Sequence, residues 1–123
     1  MQKQSTYGPY SAVSRANNMF FVSGQVGVDP TTNTAKNDIT AQTKQALLNL
    51  KQQLSTVGLE LENVVSTTVY MTNIQWFEQM NTEYAKYFGT APPARATVGV
   101  AALPQVGGNS NLYIEISAVA VAS

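Results

Sequence analysis

The segment from residue 39 to residue 57 has the strongest helical period in the chain. Its core-facing side chains recur at spacings of three and four and form one stripe: Ile39, Thr43, Ala46, Leu47, Leu50, Leu54 and Val57. Asp38 stands where an N-terminal cap belongs, and Gly58 stands where a left-handed C-terminal cap belongs. A helix with a single apolar stripe must bury it against another layer, so this segment predicts a layered domain.

The remaining periodic segments predict the strands of that second layer. Asn17-Asn18 is a plausible two-residue hairpin turn, because Asn tolerates positive φ, and 64–71 is rich in β-branched residues. We predict a loop over 25–37. Strands are predicted over 12–16, 19–24, 64–71, 95–101 and 112–122.

A second helix is predicted over about 74–88. It follows a sequence that resembles a capping box, Thr72-Asn73-Ile74-Gln75, and Gly89 ends it. The element order is then ββαβαββ, which indicates one α+β domain over residues 1–123 with two helices on one face of a mixed sheet. The other face of the sheet needs a cover, which a second subunit could supply.

Composition narrows the function classes. The net charge is zero, and charged residues make up only 11% of the chain, so strong nucleic-acid binding is not expected. The weakly charged surface suits a protein that hides surface in an oligomer. The chain has no Cys and no His, which excludes Ser-His and Cys-His nucleophile systems and argues against a zinc site.

The sequence shows no sign of secretion or membrane insertion. The start, Met1 to Thr6, is polar and lacks the apolar region of a signal peptide. No apolar run approaches the roughly 20 residues of a membrane span. We therefore expect a cytoplasmic protein.

Three polar residues are candidates for chemistry. Arg95 follows Pro92-Pro93-Ala94, a stiff approach, and its planar fork matches a carboxylate; otherwise it is a surface arginine beside a strand. Glu115 lies in an apolar strand, where burial raises a carboxyl pKa, unless it simply faces solvent. Asn81 lies on the apolar stripe of the second helix, so its amide either ties down backbone or contacts a ligand.

Several short segments together resemble the Rid family of reactive-intermediate deaminases, the RidA/YjgF type. They occur in the family's order over nearly the whole chain: GPYSAV at 8–13, FVSGQ at 21–25, the AQTKQALLNLK helix, ENVVSTTVYMTN at 62–73, MNTEYAKYF at 80–88, PPAR at 92–95, LP at 103–104 and YIEISAVAV at 113–121. The resemblance implies a chorismate-mutase-like α+β fold and a homotrimer with ligand clefts between neighbouring subunits.

The resemblance also implies roles for individual residues. Arg95 matches the arginine that binds the substrate carboxylate, and Glu115 matches the carboxylate that positions the hydrolytic water. Tyr10, Ser23 and Asn81 match positions that line the same cleft.

Three features depart from the family pattern. Thr97 stands where the family often has Cys, although its backbone carbonyl could still hold the water. The loop at 105–111 looks long, and Ser117 replaces a common second Glu. These departures bear on substrate preference more than on the reaction.

The implied activity is hydrolysis of 2-aminoacrylate, 2-iminopropanoate or 2-iminobutanoate to a 2-keto acid and ammonia. Pyridoxal-phosphate dehydratases release such species, which gives a functional link to those enzymes. No metal or cofactor is expected, because the imine carbon is already electrophilic. Two alternatives stay open: an endoribonuclease that inhibits translation, and a non-catalytic, chaperone-like trimer that binds ligands in the same clefts.

Overall fold

A five-stranded mixed sheet covered on one face by two helices forms the domain. The computed structural model describes residues 6–123. The elements are β1 (Val13–Ala16), β2 (Met19–Val26), α1 (Ile39–Ser55), β3 (Val64–Met71), α2 (Phe77–Tyr84), β4 (Ala94–Gly99) and β5 (Ile114–Val121), with short 3-10 turns at Leu61–Asn63 and Ile74–Trp76. The predicted ββαβαββ order and the α+β fold class are confirmed.

The strands lie in the order β1-β2-β5-β3-β4. All neighbouring pairs are antiparallel except β3 and β4, which run parallel because α2 forms the crossover between them. The order makes β4 an edge strand, which the chain reaches from β3 through α2.

The core lies between α1 and the sheet. α1 packs against β2, β5 and α2. Ala46, Leu47, Leu50 and Leu54 on the helix are fully buried, as the stripe predicted. They meet alternate residues of the central strands, which point to the same face: Ile114, Ile116, Val69 and Met71.

The opposite face of the sheet carries a group of apolar side chains that are open to solvent in the single chain. Met19, Phe21 and Val98 are each about two-fifths exposed, and Val119 and Val121 are half-buried. Exposed apolar side chains grouped on one sheet face are typical of an association surface.

The caps and the hairpin turn follow the sequence. The Asp38 carboxylate accepts a hydrogen bond from the Ala41 backbone N–H at 2.8 Å, and Gly58 has a φ of +76°. Asn17 has a φ of +55° in the β1–β2 turn. Gln42, which is fully buried in α1, joins the loop before α1 to the loop before β5 by donating to the carbonyls of Lys36 and Asn111.

Several predicted boundaries were wrong. The second helix is much shorter than 74–88, since α2 covers only Phe77–Tyr84. Instead of a box opened by Thr72, the Asn73 side chain accepts from the Gln75 N–H and caps the 3-10 turn that precedes α2. β4 stops at Gly99 and β5 starts only at Ile114. β2 continues to Val26, and the predicted loop at 25–37 contains a bridge between Asp29 and Thr34.

Within residues 6–123 no helix is long and apolar enough to cross a membrane.

Candidate active site

Arg95 lines a pocket of about 390 Å³ beside the edge strand. β4 carries the arginine, α2 and the turn after it form the far wall, and the rigid Pro92-Pro93 pair closes one end. In register, Arg95 pairs with Thr67 of β3, so its side chain points to the face that the helices cover. Asn81, Tyr84 and Phe88 complete the lining.

The Arg95 guanidinium rests between two aromatic rings. Its carbon lies 4.6 Å from the centroid of Tyr84 and 5.6 Å from that of Phe77, both within the range of cation–π attraction. The structure gives it no salt bridge, since the ion pair of the described residues joins Lys86 to Glu83. A guanidinium that faces a pocket without an acidic partner is suited to bind an anion.

Asn81 lies beside Arg95 in the same pocket. It is half-buried on α2, one turn before Tyr84, and within residues 6–123 its carboxamide has no hydrogen-bond partner. An amide that ties down no backbone is available to a ligand, which is the second of the two interpretations of this residue.

Thr97 follows Arg95 by two residues on β4 and pairs with Val69 in register. It therefore shares the face of the sheet that Arg95 faces, and it is half-buried. The structure thus brings Arg95, Asn81 and Thr97 to one place, on one edge of the domain.

Glu115 belongs to a second group on the other face of the sheet. It pairs with Tyr70 of β3 and lies across β2 at Gly24, where a Cβ would come within 2.3 Å of its Oε2. Burial raises the pKa of the Glu115 carboxyl above its ordinary value of 4.5. A half-buried carboxyl with a raised pKa is suited to act as a base near neutral pH.

Ser23 and the segment of Tyr10 lie near Glu115. The Ser23 hydroxyl donates to the Ser11 carbonyl at 2.6 Å, and the Ser23 N–H donates to the Ala12 carbonyl at 3.0 Å. These bonds hold the chain next to Tyr10 against the bulge of β2 at Ser23 and Gly24. The Tyr10 ring itself is about half exposed.

The two groups do not meet within one chain. β4 and β5 both flank β3, and Arg95 is offset by three residues from Val98, the β4 neighbour of Tyr70. The Cα atoms of Arg95 and Glu115 are therefore roughly 14 Å apart, from a strand spacing of about 4.8 Å and a rise of about 3.3 Å per residue. Their side chains also point to opposite faces, so a site that uses both needs a second copy of the chain.

The sequence did not identify the residues that hold these two side chains. Phe77 and Tyr84 read as core residues of a helix stripe, although they stand four and three residues from Asn81 on the same face as the pocket. The sequence predicted Gly24 only as the last residue of a strand. The structure shows that the Glu115 side chain passes so close to Gly24 that a Cβ there would clash with it. Within residues 6–123 no cluster of acidic side chains could hold a metal ion.

Comparison with known proteins identifies the family of the chain. The family model described as Endoribonuclease L-PSP matches residues 1–122. A RutC family protein of Pyrococcus horikoshii is 42% identical, over 92% of this chain and 86% of that protein. Reactive Intermediate Deaminase A of the Arabidopsis thaliana chloroplast is 40% identical, over 92% of this chain and 58% of that protein.

The fold matches solved structures over almost its whole length. The crystal structure of TdcF from E. coli with bound serine superposes with a TM-score of 0.88 at 30% identity, covering 98% of this chain and 94% of that one. Fold and sequence therefore agree, and the chain belongs to the Endoribonuclease L-PSP family, the RidA/YjgF family that includes reactive-intermediate deaminases.

Proposed function

We propose that this chain is a hydrolytic deaminase of 2-imino and 2-enamino acids. Its substrates are 2-aminoacrylate, 2-iminopropanoate and 2-iminobutanoate, which it converts in the cytoplasm to 2-keto acids and ammonia. The observation that carries the proposal is the Arg95 guanidinium, which lines a pocket, forms no salt bridge with any residue from 6 to 123 and so keeps its donors for an anion. The deaminase name of the Arabidopsis relative and the serine bound to TdcF support the same class of ligand.

The site is formed between copies in a homotrimer. One chain contributes Arg95, Asn81 and Thr97, and the neighbouring copy contributes Glu115 with Ser23 and the Tyr10 segment. The separation of the two groups within one chain supports this, because neither group alone offers both an anion site and a base. Assembly would also cover the open apolar face of the sheet.

The reaction follows from these positions. Arg95 binds the substrate carboxylate through two N–H donors and so fixes the imine carbon beside the neighbouring Glu115. Glu115 orients a water and accepts its proton as the C–O bond forms, while the backbone carbonyl of Thr97 offers a second acceptor. 2-Aminoacrylate first tautomerises to its imine. The imine nitrogen takes up a proton as the C–O bond forms, which gives a carbinolamine, and Glu115 then returns the water's proton to the amino group. The C–N bond breaks as the hydroxyl gives its proton to Glu115, which releases ammonia and a 2-keto acid. No step calls for a metal or a cofactor.

Arg95→Ala tests the carboxylate site. Loss of a bidentate charged pair in a sheltered pocket should lower kcat/KM by about a hundredfold to a few thousandfold. Arg95→Lys should recover only part of this, because an ammonium lacks the planar fork. A pyridoxal-phosphate dehydratase with serine or threonine generates the substrate, and keto-acid release is measured. Wild-type rates in Arg95→Ala would refute the anion site.

Glu115→Gln tests the base separately from binding. It keeps the shape of the side chain but cannot accept a proton, so single-turnover hydrolysis of 2-aminoacrylate should fall about 10²- to 10⁴-fold. Pyruvate affinity by calorimetry should hardly change, because Arg95 is intact. An unchanged rate would assign Glu115 a structural role.

The name of the family, Endoribonuclease L-PSP, makes an endoribonuclease the second candidate. The chain's zero net charge gives a weak basis for binding RNA, which needs several phosphate contacts. Cleavage of RNA that survives Arg95→Ala, without accelerated keto-acid release by the wild type, would favour this activity. Ligand binding with neither reaction would favour a non-catalytic, chaperone-like trimer, for which the open apolar sheet face is the feature to examine.

A further inference from the structure

The orientation of Arg95 depends on neighbours that are not charged. Guanidinium groups in proteins are commonly fixed by carboxylates, which occupy their N–H donors. Here the contacts are the rings of Tyr84 and Phe77, and aromatic faces attract the cation without accepting its in-plane hydrogen bonds. The arginine can therefore be held in place and still present its fork to a ligand.

The nearest buried carboxylate does not compete for Arg95. Glu83 precedes Tyr84 on α2, but its Oε1 accepts from the Lys86 ammonium at 2.9 Å and its Oε2 accepts from the Tyr87 hydroxyl at 2.7 Å. Burial raises the pKa of the Glu83 carboxyl, but these two donors outweigh it and the net pKa is lowered. Lys86 and Tyr87 therefore compensate the charge of Glu83, which leaves Arg95 without competition from this carboxylate.

Tyr84 is itself fixed by a buried hydrogen bond. Its hydroxyl lies 2.7 Å from the Thr67 hydroxyl, and the two residues are only 5% and 2% exposed. Phe88 packs against the same ring at a centroid distance of 4.8 Å. A buried hydroxyl pair is costly to break, so the ring has one well-defined position.

Thr67 links the two ends of this arrangement. It pairs with Arg95 across β3 and β4, and it also holds the hydroxyl of the tyrosine that contacts the arginine's far end. Backbone pairing fixes the Arg95 Cα, and the Thr67–Tyr84 bond fixes the surface on which the guanidinium rests. Contacts among Thr67, Tyr84 and Arg95 therefore fix the position of the arginine's backbone and also that of its guanidinium.

We propose that Tyr84, locked by Thr67, is the positioning residue that aims the Arg95 guanidinium at the substrate carboxylate. The inference rests on the proposed function in that it names the ligand of Arg95, although its structural part concerns any carboxylate that binds there. Tyr84 acts through Arg95 and takes no part in proton transfer.

The test compares Tyr84→Phe and Thr67→Val, which each remove the hydroxyl bond and keep the packing. Both should raise KM for 2-aminoacrylate and the Kd for pyruvate by roughly fivefold to tenfold, with kcat changed less than about twofold. The double variant should be no worse than either single one, since both break the same bond. The matched control is Tyr87→Phe, which loses a hydroxyl bond to Glu83 at the same distance but has no contact with Arg95, and it should leave KM and Kd unchanged.

A second background separates positioning from general loosening. In Arg95→Ala, adding Tyr84→Phe should not weaken pyruvate binding further, because the residue it positions is gone. A further loss of pyruvate affinity in that background would overturn the proposal. So would equal Kd and KM values for Tyr84→Phe and the wild type, or a wild type that does not bind pyruvate. If the wild type binds pyruvate with the predicted dependence on Tyr84 but releases no keto acid, the deaminase function fails and the positioning role stands.

Discussion

Gly24 controls where the Glu115 carboxylate lies. The side chain crosses the β2 backbone at a point where a Cβ would lie 2.3 Å from Oε2, 2.5 Å from Cδ and 2.7 Å from Cγ. Those distances are shorter than real contacts allow, so only glycine lets the carboxylate lie there. The position of the proposed base is therefore set by the absence of a side chain on the neighbouring strand.

Gly24→Ala should displace Glu115 and lower kcat by about tenfold or more, because a shift of an ångström misplaces the attacking water. Pyruvate affinity should change little, because Arg95, which binds the carboxylate, is intact. Gly58→Ala is the matched control: its φ of +76° makes Ala strained there, which costs about 1 kcal/mol of stability, but it lies outside both site groups. Equal kcat values for the two variants would remove this role of Gly24.

The raised pKa of Glu115 predicts an acid limb in the rate profile. Only the ionised carboxylate can accept a proton, so kcat/KM should rise with pH through a pKa above 4.5, and Glu115→Gln should abolish this limb. Because the folded chain binds that proton more tightly than the unfolded chain, this group's contribution to stability falls as pH rises through the same range. A limb at or below 4.5 in the wild type would contradict the assignment.

The sequence identified the candidate site residues better than the residues that contact them in the fold. Arg95, Asn81 and Glu115 stood out because each is a polar residue in an apolar or rigid segment. Their surroundings did not, since the rings on Arg95 and the glycine beneath Glu115 depend on strand register and on the packing of α2. Register is a long-range property that no local pattern reports.

At the scale of elements, the apolar stripe of α1 forms the main core with one face of the sheet. Leu50 is fully buried in the main core, whereas Leu48, two positions earlier, is 38% exposed. Leu50→Ala should lower the free energy of unfolding by about 2–5 kcal/mol through lost burial and a residual cavity. Leu48→Ala should cost less than about 1 kcal/mol. Urea unfolding of the two variants decides this, and similar losses would contradict the assigned packing.

The helices show why one prediction of length succeeded and the other failed. α1 has caps at both ends, so its predicted start at 39 is confirmed and its end at 57 was late by only two residues. The stripe of the second helix continues through Tyr87 and Phe88, but the Lys86 and Tyr87 N–H groups bond to carbonyls three residues back, in tight turns. The spacing of apolar residues indicates which residues are buried. Buried tight turns show the same spacing as a helix, so the spacing did not show where the helix ends.

At the scale of the whole molecule, the proposed assembly predicts the particle mass. Light scattering at micromolar concentration should give about three times the 13.2 kDa chain mass. Phe21→Lys, which places a charge on the open apolar face, should weaken the trimer and reduce activity together. An active monomer would show that the site does not need a second copy.

Mixing two inactive variants tests the shared site most directly. Arg95→Ala lacks the anion site and Glu115→Gln lacks the base, so each homotrimer should be inactive. Co-expression in equal amounts should restore about a quarter of wild-type keto-acid release, because about one cleft in four pairs an intact Arg95 with an intact neighbouring Glu115. As a control, the wild type co-expressed with Arg95→Ala/Glu115→Gln should also keep about a quarter, whereas a site within one chain would keep about half. No recovery in the mixture of single variants, with half retained in the control, would contradict a cleft built from two copies.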